Sequence, residues 1–149
     1  MWQRIQTVFL VIAALALLIS LVQPIWSFLV NDELHSLTPF YYLSSGAYQY
    51  MPFSLTSILS IASITIIITE IRKYKNRVTQ MKLGALNSLF LVGVIGSSVY
   101  FATQLVEEFQ GGSYGLGMYL PVVAVICNLI ANYFIRKDER LVRNSERLR

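Results

Sequence analysis

The sequence predicts an all-α membrane protein, a bundle of four transmembrane helices with both termini in the cytoplasm and a helical, basic C-terminal tail. Three observations support this fold class: an apolar composition, four separate apolar runs and clustered cations. Hydrophobic residues make up 55% of the 149 residues and charged residues only 13%, with a mean hydropathy of +0.56. A soluble domain of this length needs more polar surface than that.

The apolar residues lie in four runs, and each run predicts one helix. Every run is about 19 to 24 residues long, which at 1.5 Å per residue reaches the hydrocarbon thickness of about 30 Å. Glu70, at the very end of the second run, is the one charged residue in them. Lipid offers the backbone no hydrogen-bond partners, and the ten-residue alternation of barrel strands is missing, so the spans are predicted to be helical. We expect a single integral membrane domain over residues 1–149, with helices at about 8–30, 53–71, 83–106 and 116–135 and a tail at 136–149.

The twelve Lys and Arg residues predict the orientation of the helices. They lie before the first run, between the second and third runs, and after the fourth run, whereas the two other connecting segments contain none. Short positively charged segments stay on the cytoplasmic side. We therefore expect a multi-pass membrane protein with these three segments in the cytoplasm, in which the net charge of +4 marks topology and nucleic acid is not a partner. The cations are Arg4; Arg72, Lys73, Lys75, Arg77 and Lys82; and Arg136, Lys137, Arg140, Arg143, Arg147 and Arg149.

The first run also has features of a secretory signal peptide, because Arg4 precedes an apolar stretch. That stretch is too long, however, since it continues through Pro24 to Val30, and no A-x-A-like cleavage site ends it. We expect the first helix to be retained in the mature protein. Aromatic side chains are expected at the headgroup boundaries of this helix, namely Trp2, Trp26 and Phe28.

The outer loop at residues 31–52 is rich in aromatic residues. They are predicted to lie on the membrane interface as anchors, in preference to forming a ligand-binding lid. Asp32, Glu33 and His35 begin this loop and are candidates for a metal or proton site. A solvated turn or a helix cap is the favoured interpretation, because no further His or Cys completes a ligand set. The aromatic residues are Phe40, Tyr41, Tyr42, Tyr48 and Tyr50.

The outer loop at residues 107–117 is dominated by glycine, which indicates flexibility. It lacks the Gly-Lys-Ser/Thr ending of a phosphate-binding loop, and its two carboxylates, Glu107 and Glu108, would repel phosphate groups. Nucleotide binding is therefore rejected. Adjacent residues on a helix point in different directions, so these carboxylates need not converge as an acid/base pair.

Amide side chains inside the apolar runs predict contacts between helices. Asn128 and Asn132 share one face of helix four, and Asn87 lies at a similar depth on helix three, so interhelical amide hydrogen bonds are predicted. Small residues on helix three would let another helix backbone approach, and they place helix three at the centre of the bundle. That other helix belongs to the same chain in the favoured interpretation, and to a second chain in the alternative. The small residues are Gly84 with Ser88, Gly93 with Ser97, and Gly96.

A polar pathway for a substrate is the competing interpretation of these amides. Such a pathway normally includes an ionisable side chain within the bilayer, and Glu70 is the one candidate. Because Arg72 and Lys73 adjoin it at the cytoplasmic boundary, a water-exposed or salt-bridged Glu70 is favoured over a coupling carboxylate.

The sequence predicts no catalytic constellation, cofactor or metal. Cys127, the single cysteine, lies in helix four without a partner for a redox pair or a disulfide. His35, the single histidine, is expected on the opposite side of the membrane from it. An intramembrane hydrolase would need a His, Asp or Lys beside a serine, and the apolar runs contain none.

The tail at residues 136–149 is predicted to continue helix four. Glu139 and Arg143 form an i, i+4 pair, and Leu141 and Leu148 are seven residues apart. This segment either contacts anionic lipid headgroups or a partner, or ends the helix in solvent. The cations that would make the contact are Arg136, Lys137, Arg140, Arg143, Arg147 and Arg149.

Both ends of the chain resemble a known family. The opening MWQRIQTVFLVIAALAL and the closing KDERLVRNSERLR are similar to those of the four-span inner-membrane proteins of Bacteroidota known as domain of unknown function 4293. The likeness covers the whole chain, with Asn144 where the family usually has Ser and Glu146 where it usually has Asp. It implies a bacterial inner-membrane protein, and it implies no activity.

We therefore expect a non-enzymatic accessory or scaffolding subunit of a larger membrane assembly, which contacts other subunits through the tail or helix three. The alternatives are a small homo-oligomeric transporter or channel, and a membrane enzyme acting on lipid. A transporter should have a hydrated cavity lined by its amides, whereas an accessory subunit should have these amides bonded to one another. The amides are Asn87, Gln104, Asn128 and Asn132; the enzyme would use Asp32, Glu33, His35, Glu107 and Glu108.

Overall fold

Four long helices dominate the computed structural model, which describes residues 2–30, 33–44, 46–74 and 76–147, with side chains from residue 5 to residue 142 of these ranges. Each helix contains a stretch that is long and apolar enough to cross a membrane, as the four runs predict. The helices are α1 (Trp2–Val22), α2 (Leu55–Arg72), α3 (Arg77–Phe109) and α4 (Leu116–Arg147). We call the end where α2 meets α3 the basic end and the opposite end the sheet end.

The prediction of an all-α protein is wrong at the sheet end, where both predicted outer loops contribute to a five-stranded sheet. Its order is β4-β3-β2-β1-β5, and all neighbouring strands are antiparallel. The strands are β1 (Trp26–Val30), β2 (Glu33–Leu37), β3 (Tyr42–Ser44), β4 (Ala47–Gln49) and β5 (Ser113–Tyr114).

The first helix ends at Val22, earlier than the predicted residue 30. Pro24 lacks the backbone N–H that a continuing helix would use. The aromatic and β-branched residues of β1 then favour extended backbone, and β1 pairs with β2 from Trp26 opposite Leu37 to Val30 opposite Glu33. Pairing satisfies the backbone groups of a segment that would otherwise lie unpaired beside apolar surroundings.

The four helices pack in a ring. α1 packs mainly against α4 and α2, and α3 packs mainly against α2 and α4. The expectation that helix three is central is therefore wrong, since each helix has two main neighbours. Small residues on α1 and α4, including Ala13 and Ala124, allow these two helices to approach closely, and Leu10, Leu17 and Leu91 fill the core beside them.

Polar side chains lie inside the bundle beside its apolar core, and many large apolar side chains lie outside, unlike in a soluble protein. Large apolar residues are exposed on every helix, including Val22, Leu89 and Leu129. An exterior with so many exposed apolar side chains is suited to contact with lipid.

An aromatic cluster joins the sheet to the helices. Trp26, expected at the headgroup boundary, is instead fully buried, and its ring centroid lies 5.9 Å from that of Phe109 on α3. Tyr42, expected on the interface, is also buried, whereas Phe40, Tyr48 and Tyr50 are exposed. Burial of these two rings beneath the strands stabilises the sheet end.

A substitution at Gly112 tests the packing of β5 against β1. It has a φ of +107°, and the Trp26 indole lies where a side chain would start. We expect Gly112→Ala to lower the melting temperature of the detergent-solubilised protein, with a loss of about 2 kcal/mol, because it combines backbone strain with a clash. Gly46→Ala is the matched control, since Gly46 also has a positive φ of 79° but nothing lies within 4 Å of its added carbon. Equal melting temperatures for the two variants would contradict this packing.

Candidate functional site

The inward face of α2 is polar for most of its length. Its buried residues recur at helical spacing, which places them on one side of the helix, towards α3 and the interior of the bundle. Sequence reasoning missed this face because its residues are mostly small hydroxyls in an apolar run; their spacing was the signal available. These residues are Thr56, Ser57, Ser60, Ser63, Ile67 and Glu70.

A hydrogen-bonded cluster connects three helices at the middle of this face. Ser63 Oγ donates to Asn87 Oδ1 at 2.5 Å, and Asn87 Nδ2 donates to Asn128 Oδ1 at 3.0 Å. Asn128 Nδ2 in turn lies 2.9 Å from Ser88 Oγ and 3.4 Å from the carbonyl oxygen of Gly84. We call these five residues the central polar cluster. Asn87 and Asn128 are fully buried, so the cluster links α2, α3 and α4 away from solvent.

The small residues of α3 meet different neighbours. Gly84 faces α4, and the Asn132 amide oxygen lies where a Cβ atom on residue 84 would be. Gly93 faces α2, with its ideal Cβ position 3.3 Å from Leu59, and Ser97 on the same side accepts a hydrogen bond of 3.0 Å from Thr56 Oγ1.

Gly96 faces outward instead, and nothing lies within 4 Å of the position of its missing side chain. A shallow groove of about 640 Å³ begins there on the outer surface of α3. Gln104 lies in this groove and donates to the Tyr100 hydroxyl at 3.0 Å, so it is separate from the other amides predicted to line a cavity. We call this surface the α3 groove; it is lined by Gly96, Val99, Tyr100, Thr103, Gln104 and Glu107.

Glu70 is not water-exposed, and no described cation forms a salt bridge with it, which corrects the sequence-based interpretation. Its exposed fraction is 0%, and neither carboxylate oxygen has a hydrogen-bond partner in the part of the chain that the structure describes. Gln80 at the start of α3 donates from Nε2 to the Glu70 carbonyl oxygen at 3.0 Å. The carboxylate is enclosed because Glu70 follows Ser63 by seven residues and therefore shares its inward face.

The basic tail begins at an ion pair. Arg77 Nη2 lies 3.2 Å from Asp138 Oδ2, and Arg77 Nη1 also donates to the Asp138 carbonyl oxygen at 3.4 Å, which ties α4 to α3. Exposed cations on both sides of Asp138 in the chain surround a depression of about 300 Å³ on α4. It is lined by Tyr133, Arg136, Lys137, Arg140 and Leu141. The side chains of Arg143 and Arg147, and all of Arg149, lie outside the described residues.

The histidine of the first outer loop is buried, so the prediction of a solvated turn is wrong for it. His35 Nδ1 lies 2.9 Å from the Tyr42 hydroxyl oxygen. Burial raises the pKa of Tyr42, and Glu108 adds to the effect, while a hydrogen bond with Ser44 opposes it. Glu33 is exposed, and Asp32 lies outside the described residues. Within the described ranges, no three His, Cys, Asp or Glu side chains are grouped so that they could hold a metal ion.

A family model named domain of unknown function, DUF4293, matches residues 2–148. The chain belongs to this family. No curated protein matches the chain significantly. The family match thus covers all four helices and the sheet, including the central polar cluster and Glu70.

The contact between Gly84 and Asn132 can be tested with substitutions. We expect Gly84→Ala to lower the melting temperature, because the added methyl group would overlap the Asn132 amide. Gly96→Ala, on the same helix but with open space around it, should leave stability unchanged or raise it slightly. Asn132→Ala should rescue part of the loss in a double variant, and independent effects of the two substitutions would argue against this contact.

Proposed function

We propose that this protein is an integral protein of a bacterial inner membrane and a non-enzymatic accessory or scaffolding subunit of a larger membrane assembly. Both termini lie in the cytoplasm in this proposal, because all the cations occur towards the two termini and in or beside the connection between α2 and α3. The apolar outer faces of the helices support insertion in lipid.

The α3 groove is the observation that carries the proposal. Gly96 provides space for the close approach of a backbone, and Gln104 exposes an amide on the same outer surface, beside apolar residues such as Val99. The Thr103 hydroxyl also lies in this groove and donates to the Val99 carbonyl oxygen at 2.8 Å. Lipid cannot satisfy hydrogen-bonding groups, whereas a protein helix can. The occupant we propose is a transmembrane helix of another subunit, with a small residue opposite Gly96 and a hydrogen-bonding side chain opposite Gln104.

The basic tail would supply a second contact on the cytoplasmic side. Arg136, Lys137 and Arg140 are exposed on one side of α4, next to Tyr133, an aromatic residue suited to the headgroup region. Each Lys or Arg near an anionic surface contributes about 1 kcal/mol, so this segment could bind anionic headgroups or an acidic surface of the assembly.

A homo-oligomeric transporter or channel is the alternative, and the buried Glu70 favours it. The accessory role is better supported by the central polar cluster, whose amides bond to other side chains instead of lining open space. A bundle whose interior is filled in this way is suited to binding other subunits through its outer surface.

Filling the α3 groove should abolish assembly. We expect Gly96→Leu to insert normally and to lose co-purification of partner subunits from native membranes, because leucine would occupy the space that the partner helix needs. Thr65→Leu, at an exposed position on α2, is the matched control and should retain the partners. If the wild-type protein brings down only itself, the accessory role is wrong and a homo-oligomer is favoured.

The tail can be tested in the same experiment. Replacing Arg140, Arg143 and Arg147 together with Gln should leave insertion intact and weaken recovery of a partner that docks on the tail. Lipid contact alone predicts a different result, in which recovery of the partner is unchanged and binding of the purified protein to anionic headgroups falls. Unchanged partner recovery would therefore remove the tail from the docking surface.

A further inference from the structure

Glu70 is placed where an ionised carboxylate is unfavourable. It is fully buried at the basic end of the bundle, and both of its carboxylate oxygens are without hydrogen-bond partners among the described residues. An ionised carboxylate in such surroundings needs a counter-charge, a set of donors or a bound cation.

No described cation of the surrounding helices supplies the counter-charge. The cations of α2 follow Glu70 at the exposed end of the helix, and the first cation of α3, Arg77, is paired with Asp138. On α1, Gln6 is buried but neutral, and the side chain of Arg4 lies outside the described residues. Apart from Arg77, the cations on or beside these helices whose side chains are described are exposed, namely Arg72, Lys73, Lys82, Arg136, Lys137 and Arg140.

The buried side-chain groups without partners that the structure describes at the basic end of the bundle are all acceptors. Gln80 donates a hydrogen bond from its amide N–H to the Glu70 backbone, and Gln80 Oε1 is buried without a donor. Asn132 Oδ1 is also buried without a donor; it contacts Gly84, one turn beyond Gln80 on α3. A carboxylate accepts hydrogen bonds only, whereas a carboxylic acid also donates one. A proton on Glu70 would therefore remove the buried charge and create the donor that this region lacks.

We propose that Glu70 is a proton-binding site, which takes up and releases a proton through the basic end of the bundle. Binding forms one O–H bond on a carboxylate oxygen and converts the side chain from an anion to a neutral acid. The path of the proton from Glu70 to solvent is short, because Arg72, two residues later in the chain, is exposed. On the other side, Ser63 and the central polar cluster begin about 10 Å further into the bundle.

A proton fits this site better than a metal ion. Hard metal cations take about six to eight oxygen ligands, whereas the described side-chain oxygens without partners at this end are the two of Glu70 and one each from Gln80 and Asn132. A proton needs one oxygen. The inference concerns the interior of the bundle and is independent of any partner in the α3 groove.

Infrared spectroscopy of the purified protein in lipid nanodiscs tests the site directly. We expect a protonated-carboxyl C=O band at neutral pH that disappears as the pH is raised. Glu70→Gln, which is neutral and nearly isosteric, should lack the band. Glu108→Gln is the matched control, since Glu108 is exposed on α3 and its loss should leave the band unchanged. Transfer into D2O should shift the band, which would show that the proton exchanges with solvent.

Three results would overturn the proposal. They are a wild-type spectrum without the band at neutral pH, a band that survives in Glu70→Gln, and a band that does not shift in D2O after prolonged incubation. Loss of the band on adding Na⁺ at constant pH would assign the site to a metal cation instead. Glu70→Asp keeps a carboxyl group, so its band should shift in frequency without vanishing. This result would show that the loss of the band in Glu70→Gln reflects the missing carboxyl group and not a general effect of substitution at this position.

Thermal unfolding gives a second, independent readout. In this proposal the folded protein holds a proton on Glu70 that the unfolded chain does not, so stability falls as the pH rises. We expect the melting temperature of the wild type to decline over the pH range in which the infrared band disappears, and that of Glu70→Gln to decline less. Parallel declines in the two proteins would contradict a role for Glu70 in this pH dependence.

Discussion

The hydrogen bonding of Asn87 is the interaction on which the arrangement of the bundle depends. Its amide accepts from Ser63 on α2 and donates to Asn128 on α4, so one side chain sets the relative position of three helices. Apolar contacts alone are permissive, because many rotations of an apolar helix bury similar surfaces against lipid or protein. A buried amide is directional, since each alternative rotation would leave it without partners.

Small residues make this geometry accessible. Gly84 lies one turn from Ser88 and leaves room for Asn132, while Gly93 leaves room for Leu59. Gly96 is also a glycine on α3, but it faces outward into the α3 groove and not towards another helix of the bundle. A glycine in an apolar helix thus marks a close approach without revealing which neighbour makes it, because the neighbour depends on how the helix is rotated in the bundle.

The sheet depends on non-local strand pairing, which the sequence did not predict. β1 lies between β2, its neighbour along the chain, and β5, which comes from the connection between α3 and α4. The glycine-rich segment around β5 has little strand character of its own, and it becomes a strand because Trp26 and Ser27 present an unpaired edge to it. Trp26 and Tyr42, which were predicted to lie at the membrane interface, instead belong to the core beneath these strands.

The sequence by itself determined the four helical spans, the positions of the cations and the existence of a polar set on α3 and α4, because each of these depends on side chains summed along a local stretch. Asn87, Asn128 and Gly84 were recognised from residue type and spacing. The tertiary structure decided that Glu70 is enclosed, that the outer connections form a sheet and that Gly96 faces outward. These features depend on which surfaces meet across the bundle, and a charge beside Arg72 and Lys73 in the chain is buried or solvated according to the helices around it.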